Sequence, residues 1–251
     1  MYTAARIFLV VIALAFLSTL MQAQEKVVYK APDKVPITAD LYAPNAPMAT
    51  FIILFHQAKY SRGEYLEIAP KLNKQGFNCL AVDLRSGEAI NNVRNETFAY
   101  ADSLQMKTRY IDAYDDMRAS VSYVRSKYPN AKVIIWGSSY SASLAIKMAA
   151  DYPTGISAVV AFSPGEYFAA YGWSRDIVKM SASRVKCPVF ITSSKTEVAE
   201  WQGIYDAIPV ATKVSFVPNA TGKHGSKALW SDFPENTEYW TAINKFLAQY
   251  K

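Results

Sequence analysis

The feature that most constrains this chain is Val133-Ile134-Ile135-Trp136-Gly137-Ser138-Ser139-Tyr140-Ser141. It is an apolar run that stops at a glycine, presents a serine two residues later and passes straight into Ala142-Ser143-Leu144-Ala145-Ile146-Lys147-Met148-Ala149-Ala150. A short Val/Ile run is the pattern of a fully buried parallel strand, and the segment after it is rich in strong helix formers. A strand that becomes a helix so abruptly needs a sharp bend, with small residues on either side so that the two elements pass closely. These are the requirements of the nucleophile elbow Gly-x-Ser-x-Gly, whose serine sits at the strained turn with its hydroxyl exposed. Here the match is Gly137-Ser138-Ser139-Tyr140-Ser141, with serine in place of the last glycine, where a small side chain matters more than a positive φ. The spacing selects Ser139 as the nucleophile and leaves Ser138 facing the packing.

At 251 residues the chain is long enough for one sizeable α/β domain, and no repeat or linker divides it. Residues 1–23 carry one charge, Arg6, then an apolar run from Ile7 to Leu17 and a small residue at Ala23. That is the pattern of a signal peptide, so residues 24–251 are expected to form the mature domain, exported to a periplasm or secreted after cleavage near Ala23. The apolar run falls short of the ~20 residues a spanning helix needs, so no stable membrane span is expected once it is removed. The formal net charge of +6 comes from scattered lysines and arginines. This describes a solvated surface and argues against a nucleic-acid partner. Cys79 and Cys187 each lie in apolar stretches and are expected to be buried free thiols. No phosphate loop or metal-ligand cluster is present, so neither cofactor nor metal is expected; oligomeric state is not legible.

In chain order, residues 27–30 and 37–42 alternate weakly around proline-bearing turns and predict an antiparallel ribbon. Residues 50–55 form a continuous apolar strand that ends at His56-Gln57-Ala58. Residues 62–75 predict a helix with Tyr65, Ile68, Ala69 and Leu72 on one face, and 77–84 the next buried strand. Residues 86–108 show no clear period and predict a long irregular loop at the rim of the site. Residues 109–128 predict a helix, followed by the elbow, a strand over 156–162, a short helix over 174–183 and a strand over 187–192. A helix over 198–208, a strand over 212–217 and a closing helix over 236–250 complete the chain. Strands alternating with helices predict a parallel sheet covered on both faces.

With these elements and the elbow in place, the sequence resembles the α/β-hydrolase fold over nearly the whole mature chain, most closely its compact, lidless dienelactone-hydrolase-like and small exported esterase members. The resemblance implies a three-layer α/β/α sandwich around a mostly parallel, twisted, eight-stranded sheet. Fewer than thirty residues separate the strand ending at Phe162 from Pro188, too few for a large cap domain. In that fold the nucleophile, acid and histidine follow one another along the chain. His224, in Thr221-Gly222-Lys223-His224-Gly225-Ser226, occupies the histidine's place between the last strand and the closing helix. The acid's place, nine residues after Pro188, holds Glu197 instead of the usual aspartate. Glu166 and Asp83, each following another strand, are alternative acids. His56-Gln57-Ala58 matches the loop that closes the oxyanion hole. Its backbone N–H, from Gln57 or Ala58, would act beside that of Tyr140.

The resemblance therefore implies a serine hydrolase, most simply a carboxylesterase working through an acyl-Ser139 intermediate without a cofactor. Tyr60, Tyr167, Phe168, Tyr171 and Trp173 fall on loops expected at the mouth, where they suit a small-molecule, aromatic or sugar-bearing ester. Two other readings stay open: a peptidase of prolyl-oligopeptidase type, and a binding protein that kept the fold after losing its activity. The signal-peptide reading is checked by the intact mass of exported material, which is expected to begin at Gln24. A membrane-held species retaining residues 1–23 would overturn it.

Overall fold

A computed structural model of the chain describes residues 24–251. The segment expected to be a signal peptide lies outside the described residues. The elements are β1 (Glu25–Lys30), β2 (Pro36–Tyr42), β3 (Phe51–Phe55), α1 (Ile68–Asn73) and β4 (Asn78–Val82), then a small ribbon, β5 (Ala89–Ile90) and β6 (Val93–Arg94). They continue with α2 (Glu96–Ser103), α3 (Ala113–Lys127), β7 (Val133–Ser138), α4 (Tyr140–Asp151), β8 (Ala158–Phe162) and α5 (Ile177–Ala182). The chain closes with β9 (Val189–Thr192), α6 (Val198–Ala207), β10 (Lys213–Phe216) and α7 (Asn236–Leu247).

Eight strands form one sheet in the spatial order β1, β2, β4, β3, β7, β8, β9, β10. β1 and β2 are antiparallel to their neighbours, and the other pairings are parallel. Side chains of a strand point alternately to the two faces, and both faces here are buried. Phe51, Ile53, Phe55, Val133, Ile135, Val159 and Ile191 pack against Met117 and Val124 of α3, Leu144 and Met148 of α4, Val178 of α5 and Trp201 and Ile204 of α6. Ile52, Leu54, Ile134, Trp136, Val160, Phe162 and Phe190 pack on the other side against Ile68, Ala69 and Leu72 of α1 and Tyr239, Trp240, Ile243 and Phe246 of α7. The three-layer α/β/α sandwich is therefore present, as is the mostly parallel eight-stranded sheet. Cys79 and Cys187 are buried and unpaired.

Two expected elements differ. The helix over 62–75 is instead a 3-10 turn, Arg62–Tyr65, followed by α1. Pro70 lacks an N–H and is tolerated only near a helix start, so the α-helix begins at Ile68 with Pro70 in its first turn. The irregular stretch 86–108 contains the β5–β6 ribbon and α2, whose N-terminus is capped by Asn95 Oδ1 accepting from the Phe98 N–H at 2.8 Å. Strands of two residues are too short to leave a period.

The start of this region is held by one buried cation. Arg62 Nη1 lies 2.5 Å from Asp83 Oδ2, Nη2 3.0 Å from Glu96 Oε1, and Nε 3.1 Å from Asp40 Oδ1. It joins β2, the end of β4 and the start of α2. Removing it would leave Asp40 and Asp83 buried with no counter-charge. Arg62→Met is expected to cost about 3–5 kcal/mol, measured by denaturant unfolding, because the partners lose compensation for their burial.

Candidate active site

The parallel strands end level with one another: Phe55 is paired with Gly137, Ser138 with Phe162, and Phe162 with Thr192. The loops leaving β3, β7, β8 and β9 therefore emerge side by side at the carboxyl edge. The strand order reverses between β3 and β7, which is where open α/β sheets place their ligands.

Ser139 stands at that point with φ 60° and ψ −124°, a left-handed conformation unusual for a residue with a side chain. It is held by its N–H donating to the Phe162 carbonyl at 2.7 Å and by α4 starting at the next residue. A Cβ on Gly137 would collide with the backbone of Ala142, so only glycine lets helix and strand approach. Ser141, in the place of the motif's last glycine, is fully buried. Its hydroxyl accepts from the Ser138 N–H at 2.9 Å and reaches the Phe55 carbonyl at 2.8 Å, tying the elbow to β3.

His224 Nδ1 lies 2.7 Å from Glu197 Oε1. A carboxylate only accepts, so Nδ1 carries the hydrogen, which in the neutral ring puts the lone pair on Nε2. Glu197 Oε2 accepts from the Ser163 hydroxyl at 2.7 Å and from the Ser194 N–H at 3.3 Å. Burial opposes the charge on Glu197, but the His224 and Ser163 hydrogen bonds outweigh it and hold the carboxyl below its ordinary range. Ser163, also left-handed at φ 55°, accepts in turn from the Gly225 N–H at 2.9 Å. The Ser226 N–H donates to Ser138 Oγ at 2.8 Å, which docks the histidine loop on the elbow. Gly225 has φ 73°, and a Cβ there would sit within 2.6 Å of Ser138 Oγ.

The alternative acids are engaged elsewhere. Asp83 is bound to Arg62 and accepts from the Glu96 N–H at 2.8 Å. Glu166 accepts from the Val178 and Lys179 N–H groups at 3.0 and 2.7 Å, capping the start of α5. The two candidate donors of the His56-Gln57-Ala58 loop differ in how they are bonded. The Gln57 N–H donates to the buried Glu64 Oε2 at 2.8 Å, so it is already engaged. Among the described residues the N–H groups of Ala58 and Tyr140 have no protein acceptor. His56 is structural: it is fully buried, with Nε2 accepting from the Leu84 N–H at 2.9 Å and Nδ1 within 2.8 Å of the Gln57 carbonyl. Burial lowers its pKa to about 4, so it stays neutral.

The expected mouth residues divide. Tyr167 is half-buried, with its hydroxyl donating to the Ser163 carbonyl at 2.9 Å and in reach of Ser139. Tyr60 stacks beside Trp230 next to the histidine loop, and Tyr171 meets Tyr110 edge-on. Phe168, by contrast, is fully buried and belongs to the core rather than the mouth. Trp173 packs on Phe168 and Tyr114 beneath the Lys147 ammonium, an apolar anchor for its loop.

Three residues were not anticipated. Ser163 follows a strand without any motif to mark it. Tyr110 stacks on Tyr140 at 4.5 Å and, with Ala58, Lys59, Ser86, Glu88 and Phe98, lines a cavity of about 190 Å³. Glu64 is fully buried and accepts from the Ser138 hydroxyl at 2.7 Å. Burial raises its pKa to about 7 against the Ser138 and Gln57 hydrogen bonds. Among the described residues no group of side chains is arranged to hold a metal ion, and no helix is long and apolar enough to cross a membrane.

A family model described as serine aminopeptidase, S33, matches residues 46–186, more than half of the chain, from before the oxyanion loop to beyond the elbow. The chain belongs to that family. Among solved structures it is similar to a carboxyl esterase from Bacillus coagulans, at 14% identity and a TM-score of 0.70, over 92% of this chain and 99% of that one. It is also similar to the esterase Pf2001 of Pyrococcus furiosus, at 19% identity and a TM-score of 0.68, over 91% and 93% of the two chains. A dienelactone hydrolase from Anabaena variabilis aligns at 14% identity and a TM-score of 0.67, over 91% and 98%. No curated protein matches the sequence. At these identities the structures establish the lidless α/β-hydrolase fold, and the family establishes a hydrolase; the residue roles rest on the geometry.

The Glu197–His224 bond makes the acid testable. In ester-hydrolysis assays Glu197→Gln is expected to lower turnover by up to ~10⁴ with KM nearly unchanged, as when a histidine loses the carboxylate that fixes its tautomer. Glu166→Gln, which touches only the start of α5, is expected to stay within about tenfold of wild type, equivalent to ~1.4 kcal/mol in barrier.

Proposed function

We propose that this chain is an exported serine hydrolase that cleaves carboxylic esters through an acyl-Ser139 intermediate. The observation that carries the reading is the 2.7 Å bond from His224 Nδ1 to Glu197, on a loop docked against the elbow that presents Ser139 at φ 60°. With Nδ1–H committed to the carboxylate, Nε2 is free to take the Ser139 proton as its oxygen attacks the substrate carbonyl. The tetrahedral oxyanion is received by the N–H groups of Ala58 and Tyr140. These matter because the charge they meet exists only in the transition state and intermediate, and losing one such donor costs about 10²–10³ in rate. Collapse breaks the ester C–O bond, and His224 returns its proton to the departing alcohol. Water then attacks the acyl carbon while Nε2 takes a water proton, and a second collapse frees the acid and restores Ser139.

The substrate class proposed is a small aromatic or sugar-bearing ester. The cavity beside Ala58 is small, and Tyr110 and Tyr171 offer ring faces and edges at its margin. A second reading, hydrolysis of an amide at a peptide N-terminus, is favoured by the description of the family. The same groups would serve it, with His224 protonating an amine rather than an alcohol.

The test is turnover of p-nitrophenyl acetate and butyrate beside an aminoacyl p-nitroanilide, together with fluorophosphonate labelling read by mass spectrometry of the tagged peptide. Ester turnover and a tag on Ser139, both lost in Ser139→Ala, are the expected result, while Ser138→Ala should keep partial activity. Turnover of the anilide alone would move the assignment to the peptidase reading, and no labelling at all would favour a binding protein.

A further inference from the structure

Glu64 is a buried carboxyl beside the site that the mechanism above does not use. It lies in the Arg62–Tyr65 turn, on no strand end, and makes no hydrogen bond to Ser139 or His224. Its two oxygens nevertheless bond two segments of the site directly, and a third through Ser138. Oε2 accepts from the Gln57 N–H of the loop after β3 at 2.8 Å. Oε1 accepts from the Ser138 hydroxyl of the elbow at 2.7 Å, and Ser138 Oγ accepts from the Ser226 N–H of the histidine loop at 2.8 Å. The Glu64 carbonyl also accepts from Trp230 Nε1 at 2.9 Å, further along that loop.

Packing alone would not call for this residue. A carboxyl with no exposed surface gives up its hydration, and an apolar side chain would fill the same space without that cost. What an apolar side chain lacks is an acceptor for the Gln57 N–H. That N–H and the Ala58 N–H belong to consecutive peptide units hinged at the Gln57 Cα. The Gln57 carbonyl, in the same peptide plane as the Ala58 N–H, is held by His56 Nδ1 at 2.8 Å, so anchoring the Gln57 N–H as well pins both planes and leaves the hinge little room to turn. We propose that Glu64 is a positioning residue that aims the Ala58 N–H at the oxyanion by holding the Gln57 N–H away from it. The proposal rests on the serine-hydrolase reading given above. It concerns the geometry of the acceptor and not its charge: a proton on Oε1 leaves Oε2 free to accept from Gln57.

The distinction between acceptor and charge gives the test. Glu64→Gln keeps the length and one acceptor oxygen, which can take the Gln57 N–H while its amide nitrogen donates to Ser138 Oγ. Glu64→Asp keeps the charge but falls one methylene short, and Glu64→Met removes both acceptors. The three variants and wild type are compared for kcat and KM on p-nitrophenyl butyrate, for inhibition by a trifluoromethyl ketone that forms a tetrahedral adduct, and for folding by circular dichroism. Asp and Met are expected to lower kcat at least a hundredfold with KM within threefold, and to weaken the ketone in parallel, since a misaimed donor is felt only where the oxyanion exists. Gln is expected to restore kcat to within tenfold of wild type.

Folded Asp or Met variants within threefold of wild-type kcat would overturn the proposal. So would activity in Asp but not in Gln, which would make charge the operative property. A protein that folds with Gln but with neither Asp nor Met would need Glu64 for folding rather than aim, and overturns it as well. A wild-type protein that neither turns over ester nor labels at Ser139 would remove the parent reading and this one with it. Full labelling with a flat variant series would remove this one alone.

Discussion

The site depends first on the level parallel pairing of β3, β7, β8 and β9. Parallel strands joined by helices all leave the sheet at the same edge, and their pairing fixes the height at which each loop departs. Phe55, Gly137, Ala161 and Ile191 lie in one row across the sheet, so the His56-Gln57-Ala58 loop, the elbow, Ser163 and the Glu197 turn start within a residue or two of a common line. Both faces of these strands are sealed by apolar packing, and a slip of one residue would exchange the two faces. The hydrophobic core thus sets the relative positions of polar groups that it never touches.

At that edge the chain carries unusual backbone strain, and serine hydroxyls stabilise it. Ser139 and Ser163 both occupy the left-handed region, which favours glycine. Each sits directly after a central strand, where its N–H still joins the ladder: Ser139 to the Phe162 carbonyl and Ser163 to the Thr192 carbonyl at 2.6 Å. Around them the hydroxyls of Ser138, Ser141, Ser163 and Ser226 act as acceptors or donors that a glycine could not supply. Strained conformations persist where the surroundings over-determine them.

Much of this arrangement was legible in the sequence, for identifiable reasons. The elbow announced itself because a Val/Ile strand, a glycine and an alanine-rich helix follow without a break, and His224 and Glu197 stood out by order and spacing. What escaped was held by single contacts that leave no period. Glu64 sat in a stretch that looked like a continuous helix, and only the break before Pro70 places it in a turn under the site. That the Gln57 N–H is bonded to Glu64 while the Ala58 N–H is not so engaged depends on where one buried carboxyl lies, which no sequence pattern marks. Phe168 and Trp173 read as mouth residues because loops usually lie at the surface, yet Phe168 is fully buried and Trp173 is half-buried against Phe168 and Tyr114. The N-cap Asn95 was a visible sign of α2, overlooked beside the asparagine-rich turn that precedes it.

The acid on His224 is a glutamate, whose side chain has one more rotatable bond than an aspartate's. That extra bond carries conformational freedom that must be removed before the carboxylate can orient an imidazole. Here Ser163 and the Ser194 N–H remove it, gripping the oxygen that His224 does not use. The longer arm has a mechanical consequence. Glu197 belongs to the turn leading into α6, so the length of its side chain sets how far that turn stands from the imidazole. An aspartate there would fall one methylene short of His224 unless the turn and the helix behind it moved in toward the sheet edge.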